Sequence, residues 1–173
     1  MSREMNQKIG LKTHPLLDAR MRSLEVQKAF SLEQVSIISG VVIINDSAAT
    51  TGVQSIESLL QLGKKVCWVL DAKLVLDEHP DLAVAMKEYA HTVIAVGPNT
   101  DSFFERFNCS FRLFASAASW DEALENAIAA CKANDTVLIS PGTRAIDPFQ
   151  DYKERGAYLN RLVYHKSKEY SAQ

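Results

Sequence analysis

The sequence predicts an α/β fold: a mostly parallel sheet of about six strands, one antiparallel edge strand, and helices on both faces. Three observations carry that reading. Short Val- and Ile-rich runs alternate with segments whose apolar residues recur at helical spacing, the pattern of strand–crossover–strand units. Several runs, such as Val66–Leu70, Thr92–Val96 and Val137–Ile139, are almost wholly apolar, as strands covered on both faces must be. Two more, Val35-Ser36-Ile37-Ile38 and Val41-Val42-Ile43-Ile44, are separated only by Ser39-Gly40, a two-residue hairpin signal.

The elements follow in chain order. Residues 1–12 are polar and mixed. Thr13 to about Phe30 suits a helix, with Pro15 in the first turn and Leu17, Met21 and Leu24 at helical spacing. Its charges read as a solvated face, so it packs on the core rather than on a partner. After the hairpin, Asn45-Asp46-Ser47 and Thr50-Thr51 cluster as capping residues. A helix then runs from about Thr51 to Leu62, with Val53, Ile56, Leu59 and Leu60 on its inner face and Gly63 as its stop.

Val66–Leu70 is the next strand. Pro80–Tyr89 is a helix with Leu82, Ala83, Met86 and Tyr89 inward, and Thr92–Val96 is a strand closed by Gly97-Pro98. Residues 100–107 form a short helix and Phe111–Phe114 a short strand. Ser119 and Glu122 make a capping box for a helix to about Ala133, with Trp120, Ala123, Leu124, Ala127, Ile128 and Cys131 inward. Val137–Ile139 is the last strand, and a final helix spans about Tyr152 to Lys168. We divide the chain into an N-terminal helical extension, 1–30, and one α/β domain, 31–173.

Composition narrows the function. With 173 residues, 47% apolar and 23% charged, the chain is an ordinary globular length and mixture for one core. A net charge of −2 supplies no basic field for nucleic acid. No run reaches the ~18 apolar residues of a membrane span, and the N-terminus is not signal-like, so a cytoplasmic location is expected. Cys67, Cys109 and Cys131 lack a C-x-x-C pairing and read as reduced, mostly packed thiols. The four histidines, 14, 79, 91 and 165, show no metal-ligand spacing, so no metal site is expected. His79 and His91, flanking one helix, read as surface residues.

The seven glycines form neither G-x-x-x-x-G-K-[ST] nor G-x-G-x-x-G, so no phosphate cradle of either kind is present. Ser140 before Pro141 is no nucleophile elbow, which argues against hydrolase chemistry. What remains is two strand ends: Asn45-Asp46-Ser47 with Thr50, and the loop after Ile139 carrying Arg144, Asp147, Phe149, Asp151, Tyr152 and Arg155. Ligands of open α/β sheets bind outside the strands' carboxyl ends. Hydroxyls, a carboxylate and helix N-terminal amides there suit phosphate, carboxylate or Mg²⁺. Equally, Asp46, Ser47 and Thr50 suit simple capping of the following helix.

These two stretches resemble the Mur ligases. I-N-D-S-A-A-T-T (Ile44–Thr51) is similar to the family's I-N-D-S-K-A-T-N. V-L-I-S-P-G-T-R-A-I-D-P-F-Q-D-Y-K-E-R-G (Val137–Gly156) is similar to its V-L-L-S-P-A-x-A-S-x-D-x-F-x-x-F-x-x-R-G. The likeness covers about residues 31–165 and lies nearest the C-terminal domain of the D-glutamate-adding members. It implies a Rossmann-like domain that closes over a separate ATPase domain and presents the incoming amino acid to an acyl-phosphate in peptidoglycan synthesis. Mg-ATP is the cofactor implied for the family, none being expected on this chain alone.

Carried over by position, Asn45, Asp46 and Ser47 would face nucleotide and phosphates. Thr50, Ser140, Ile146, Phe149 and Tyr152 would lie on the amino-acid side, with Lys73 as a substitute cation. Asp147, Arg155 and Gly156 would fix the loop.

The departures bear on activity. The family's Lys is Ala48, its loop Ser is Ala145, and its H-R-x-E before the hairpin is lost within Ala29-Phe30-Ser31-Leu32-Glu33. Its G-G-x-D-K-G loop is replaced by Asp71-Ala72-Lys73-Leu74-Val75, and Arg144 is an added cation. The expectation is therefore a free-standing relative with no intact catalytic set, acting as a binding or interaction module for a nucleotide, an acidic amino acid or a protein. The Met-Ser-Arg-Glu start and the unmatched residues 1–30 point the same way. The alternative is a fragment or separately encoded piece of an ATP-dependent ligase, active only with the missing ATPase and UDP-binding domains. A scaffold with a relic pocket is the third reading.

Overall fold

A computed structural model describes residues 28–76, 79–145 and 148–172. The helix expected over Thr13–Phe30 lies outside these residues except for its end, where Ala29 and Phe30 form a turn. Six strands make one sheet: β1 Glu33–Ile38, β2 Val41–Asn45, β3 Val66–Asp71, β4 Ala90–Val96, β5 Leu113–Ala117 and β6 Thr136–Ile139. Five α-helices are described: α1 Gly52–Leu62, α2 Asp81–Tyr89, α3 Thr100–Phe107, α4 Trp120–Ala130 and α5 Tyr152–Ser171. A 3₁₀ helix, Ala72–Leu76, follows β3.

The hairpin forms as its turn residues dictate. Ser39 and Gly40 both take positive φ, 50° and 79°, which lets β1 and β2 pair antiparallel with Ile38 opposite Val41. All other pairings are parallel, and the strand order is β1-β2-β6-β3-β4-β5. The last strand in sequence thus inserts between the second and third.

Alternate residues of the central strands feed two cores. Trp68, Leu70 and Leu138 pack with Ile56 and Leu59 of α1, Leu82 and Met86 of α2, and Phe103 of α3. Cys67, Val69, Val137 and Ile139 pack on the opposite face with Leu124 and Ile128 of α4 and Leu159 and Val163 of α5. β6 therefore leads into a helix on one face while its neighbours β2 and β3 lead into helices on the other. That divergence opens a crevice at the carboxyl ends of the central strands.

The helix signals mostly hold. Thr51 Oγ1 accepts from Gln54 N–H, Gly63 closes α1 in the left-handed region, and Ser119 Oγ accepts from Glu122 N–H. Three expectations need correction. Val53 is 40% exposed, because α1 lies with its Ile56–Leu59 edge on the sheet. The fifth strand runs Leu113–Ala117, three residues beyond the Phe111–Phe114 expected. Phe111 and Phe114 instead stack with each other, and Phe104 packs against both, so the aromatic run is a side-chain cluster only half within the strand. Finally, α4 ends at Ala130, short of Ala133.

Candidate functional site: a buried polar knot beside a cationic crevice

Asn45, Asp46, Ser47 and Ser140 stand at the ends of β2 and β6 and are 0–1% exposed. Their polar atoms are occupied by the protein itself. Asn45 Nδ2 donates to Gly156 O at 2.9 Å and to Asn160 Oδ1 at 2.7 Å. Asn45 Oδ1 accepts from the Ser47 N–H at 3.0 Å and the Ser47 hydroxyl at 2.6 Å. Asp46 Oδ1 accepts from the Leu32 N–H at 3.2 Å, and its Oδ2 from the Ser140 hydroxyl at 2.7 Å. Ser140 Oγ also lies 2.8 Å from Ser55 Oγ, and its carbonyl accepts from Trp68 Nε1 at 2.8 Å. The ends of β2, β6, β3, α1 and α5 are thereby tied together.

Burial raises Asp46 from the usual carboxylate value to about 6, against the lowering effect of hydrogen bonds from Ser140, Ser58 and Leu32 and of the Lys28 charge. Lys28 also supplies a cation beside the position where the family lysine is missing. Its Nζ lies 3.5 Å from Ala48 O and 4.3 Å from the centre of the Tyr152 ring. Thr50 turns away, its N–H and hydroxyl both donating to Gln54 Oε1.

Gly156 belongs to this knot for a steric reason. A Cβ there would sit 2.4 Å from Phe30 Cγ, so the α5 backbone reaches this close only because the side chain is absent.

Arg155 joins the knot to the crevice. It is 2% exposed, and one terminal guanidinium nitrogen donates to Ser47 O at 3.2 Å. Its Nε is buried with no hydrogen-bond partner among the described residues. Burial pulls the guanidinium down to about 10, with Asp71 and Asp46 opposing that pull, so it stays charged at neutral pH.

The crevice beyond it encloses about 590 Å³. Its cations are Lys73, Arg144, Arg155 and Arg161, set against two carboxylates, Asp71 and Glu154. Trp120, Phe149 and Tyr158 give it an apolar wall, the Phe149 and Tyr158 rings lying 5.3 Å apart. Asp71 is held by the Thr143 hydroxyl at 2.9 Å and the Lys73 N–H at 2.8 Å, which fixes the floor.

The sequence-derived candidates are thus divided. Lys73, Phe149 and Arg155 line the crevice together with Arg144. Asn45, Asp46, Ser47, Ser140 and Gly156 lie in the knot, Thr50 and Tyr152 beside it, and Ile146 and Asp147 fall outside the described residues. Arg161, Trp120 and Tyr158 were missed. Tyr158 and Arg161 sit three and six residues past Arg155 on α5, so helical spacing alone would have aligned them with it.

The geometry defines an α/β domain with a cation-lined crevice at its strand ends. Comparison with known proteins places it further. The UDP-N-acetylmuramoylalanine–D-glutamate ligase of Chlamydia pneumoniae is 35% identical over 135 residues, which is 78% of this chain and 32% of that protein. A murein peptide ligase from Psychrobacter arcticus superposes with a TM-score of 0.58 at 13% identity, over 80% of this chain and 30% of that one. The MurF ligase of Thermotoga maritima, solved with ADP, superposes with a TM-score of 0.52 at 14% identity, over 87% and 36%. No protein-family model matches the chain. The chain is a relative of the Mur ligases and carries the fold of their C-terminal domain. It spans about a third of the length of the curated relatives it matches.

Proposed function

We propose that this domain binds an anionic ligand, an acidic amino acid or a phosphate-bearing compound, in the crevice, and does not carry out ligation by itself. One observation carries the reading: four cations and an aromatic wall converge on an open cleft, with one cation, Arg155, buried and only partly bonded. A buried guanidinium with a spare N–H favours a carboxylate or phosphate in reach. In the ligase relatives the substrates named are UDP-N-acetylmuramoylalanine and D-glutamate, and the MurF structure holds ADP, so these are the ligands to try first. We take 31–173 as the binding domain, 1–30 as an extension, and the cytoplasm as its site of action. No helix among the described residues is long and apolar enough to cross a membrane.

Loss of autonomous catalysis is supported by the knot. The residues that would face nucleotide by family position spend their hydrogen bonds on the fold. No phosphate cradle exists in the sequence, and Mg-ATP would have to be held by another domain. The second reading, a piece of a D-glutamate-adding ligase that works with partner domains, is favoured by the 35% identity over a third of that enzyme.

Thermal shift with D-glutamate, ADP, ATP and UDP-N-acetylmuramoylalanine tests the binding proposal. A ligand at a hundred times its Kd stabilises by about 2.7 kcal/mol. No shift with any of them would leave only the scaffold reading. Phosphate release from Mg-ATP by the isolated chain with both substrates would overturn the absence of catalysis.

A further inference from the structure

The edge of the sheet opposite the crevice, at the amino ends of β3, β4 and β6, gathers a second set of chemical groups. His91 is the second residue of β4, Cys131 caps the C-terminus of α4, and Asp135 immediately precedes β6. One ring nitrogen of His91, Cys131 Sγ and a carboxylate oxygen of Asp135 all lie within 4.8 Å of one another, each residue half-buried.

Their remaining hydrogen bonds are arranged around that centre. His91 Nδ1 lies 3.0 Å from Thr92 Oγ1, leaving Nε2 as the free ring nitrogen. That Nε2 is buried and has no hydrogen-bond partner among the described residues. Asp135 Oδ2 accepts from the Lys132 N–H at 2.8 Å, leaving Oδ1. Cys131 packs against the core cluster that holds the buried Cys67. An imidazole held through its other nitrogen, a cysteine sulfur and a carboxylate are the donor types of a zinc-class site.

We propose that His91, Cys131 and Asp135 bind a divalent ion of the Zn²⁺ class. Donor atoms around a tetrahedral zinc lie about 3.3–3.8 Å apart, given bonds of ~2.0–2.3 Å. Closing the set from its present spread takes side-chain adjustments of about 1 Å. Mg²⁺ and Ca²⁺ are disfavoured, since both prefer all-oxygen shells. Three protein ligands leave a fourth position for water. The ion would clamp the end of α4 and the lead into β6 onto β4, far along the strands from the crevice.

The sequence hides this set because the ligands are 40 and 4 residues apart and match no spacing pattern. They meet only because β6 returns to the middle of the sheet.

The test is titration of the reduced full chain with Co²⁺, followed by Zn²⁺. One Co²⁺ per chain, with thiolate-to-cobalt charge-transfer absorption that Zn²⁺ abolishes and a raised Tm with Zn²⁺, is expected. Cys131→Ser removes the charge-transfer band, and His91→Gln weakens binding by at least about tenfold. Cys109→Ser leaves both unchanged, Cys109 being exposed and outside the cluster. Far-UV circular dichroism checks that each variant folds; should Cys131→Ser not fold, His91→Gln alone decides. No stoichiometric thiolate signal in the unaltered chain, or an undiminished affinity in folded His91→Gln, overturns the proposal.

Discussion

Two polar regions lie side by side at the carboxyl ends of the strands, and they behave in opposite ways. The knot of Asn45, Asp46, Ser47 and Ser140 is closed, with every residue 0–1% exposed and bonded within the fold. The crevice a strand away is open, and two of its cations, Arg144 and Arg161, are exposed to solvent. Both satisfy the rule that α/β ligands bind at strand ends. The difference shows that position at a strand end is insufficient: a polar group whose bonds are already made has nothing left to offer a ligand. Arg155 is the exception that spans both, bonded to Ser47 on one side and facing the crevice on the other.

The comparison can be broken most directly at Asn45. Asn45→Ala strands the Gly156 carbonyl, the Asn160 side chain and the Ser47 N–H and hydroxyl, all at or near the core. At 1–3 kcal/mol per stranded buried group, with partial relaxation, the expected loss is roughly 4 kcal/mol in urea unfolding. A loss below about 1 kcal/mol would mean that the knot is not a structural tie.

Asp46 gives a pH signature. Its folded value of about 6 lies above the usual 3.8, so the native state holds the proton longer than the unfolded chain. Its contribution is therefore fully present below the unfolded value and is lost as pH rises through the folded one. The predicted decline between those limits is on the order of 3 kcal/mol. Asp46→Asn keeps an acceptor for the Leu32 N–H and can donate to Ser140 Oγ, so its stability should be flatter with pH and no lower than the parent's at neutral pH. Equal slopes for the two proteins would refute this.

Gly156→Ala tests the close approach of Phe30. The ring must move, and overpacking of this kind costs typically 1–3 kcal/mol, so about 2 kcal/mol is expected by urea unfolding.

The crevice should respond in the reverse sense. Arg144→Ala leaves folding stability unchanged within about 0.5 kcal/mol, because Arg144 is exposed and its substitution strands nothing in the core. For the anionic ligand identified by thermal shift, affinity falls by up to about fivefold, the value of one exposed ion pair. If instead Arg144→Ala changes stability while Asn45→Ala changes only binding, the two regions have been assigned the wrong way round.

Much of this protein followed from local chemistry. Ser39-Gly40 set the hairpin because the pair can take positive φ, and Thr51, Gly63, Ser119 and Asp151 set helix ends because their groups satisfy backbone partners within a few residues. The apolar runs of β3, β4 and β6 were legible because strands buried on both faces cannot alternate. The Mur-like motifs could be read as well, and with them the fold.

Only the tertiary structure decided which polar residues turn inward and which line a cleft. Ser140 meets Asp46 across 94 residues of chain, and Asn45 meets Gly156 across 111. Satisfaction of a hydrogen bond is a property of the pair, and burial is a property of everything packed around it, so neither is written at any single position. For the same reason the sequence placed His91 at the surface and Cys131 in the core as separate residues. The return of β6 to the centre of the sheet brings them together.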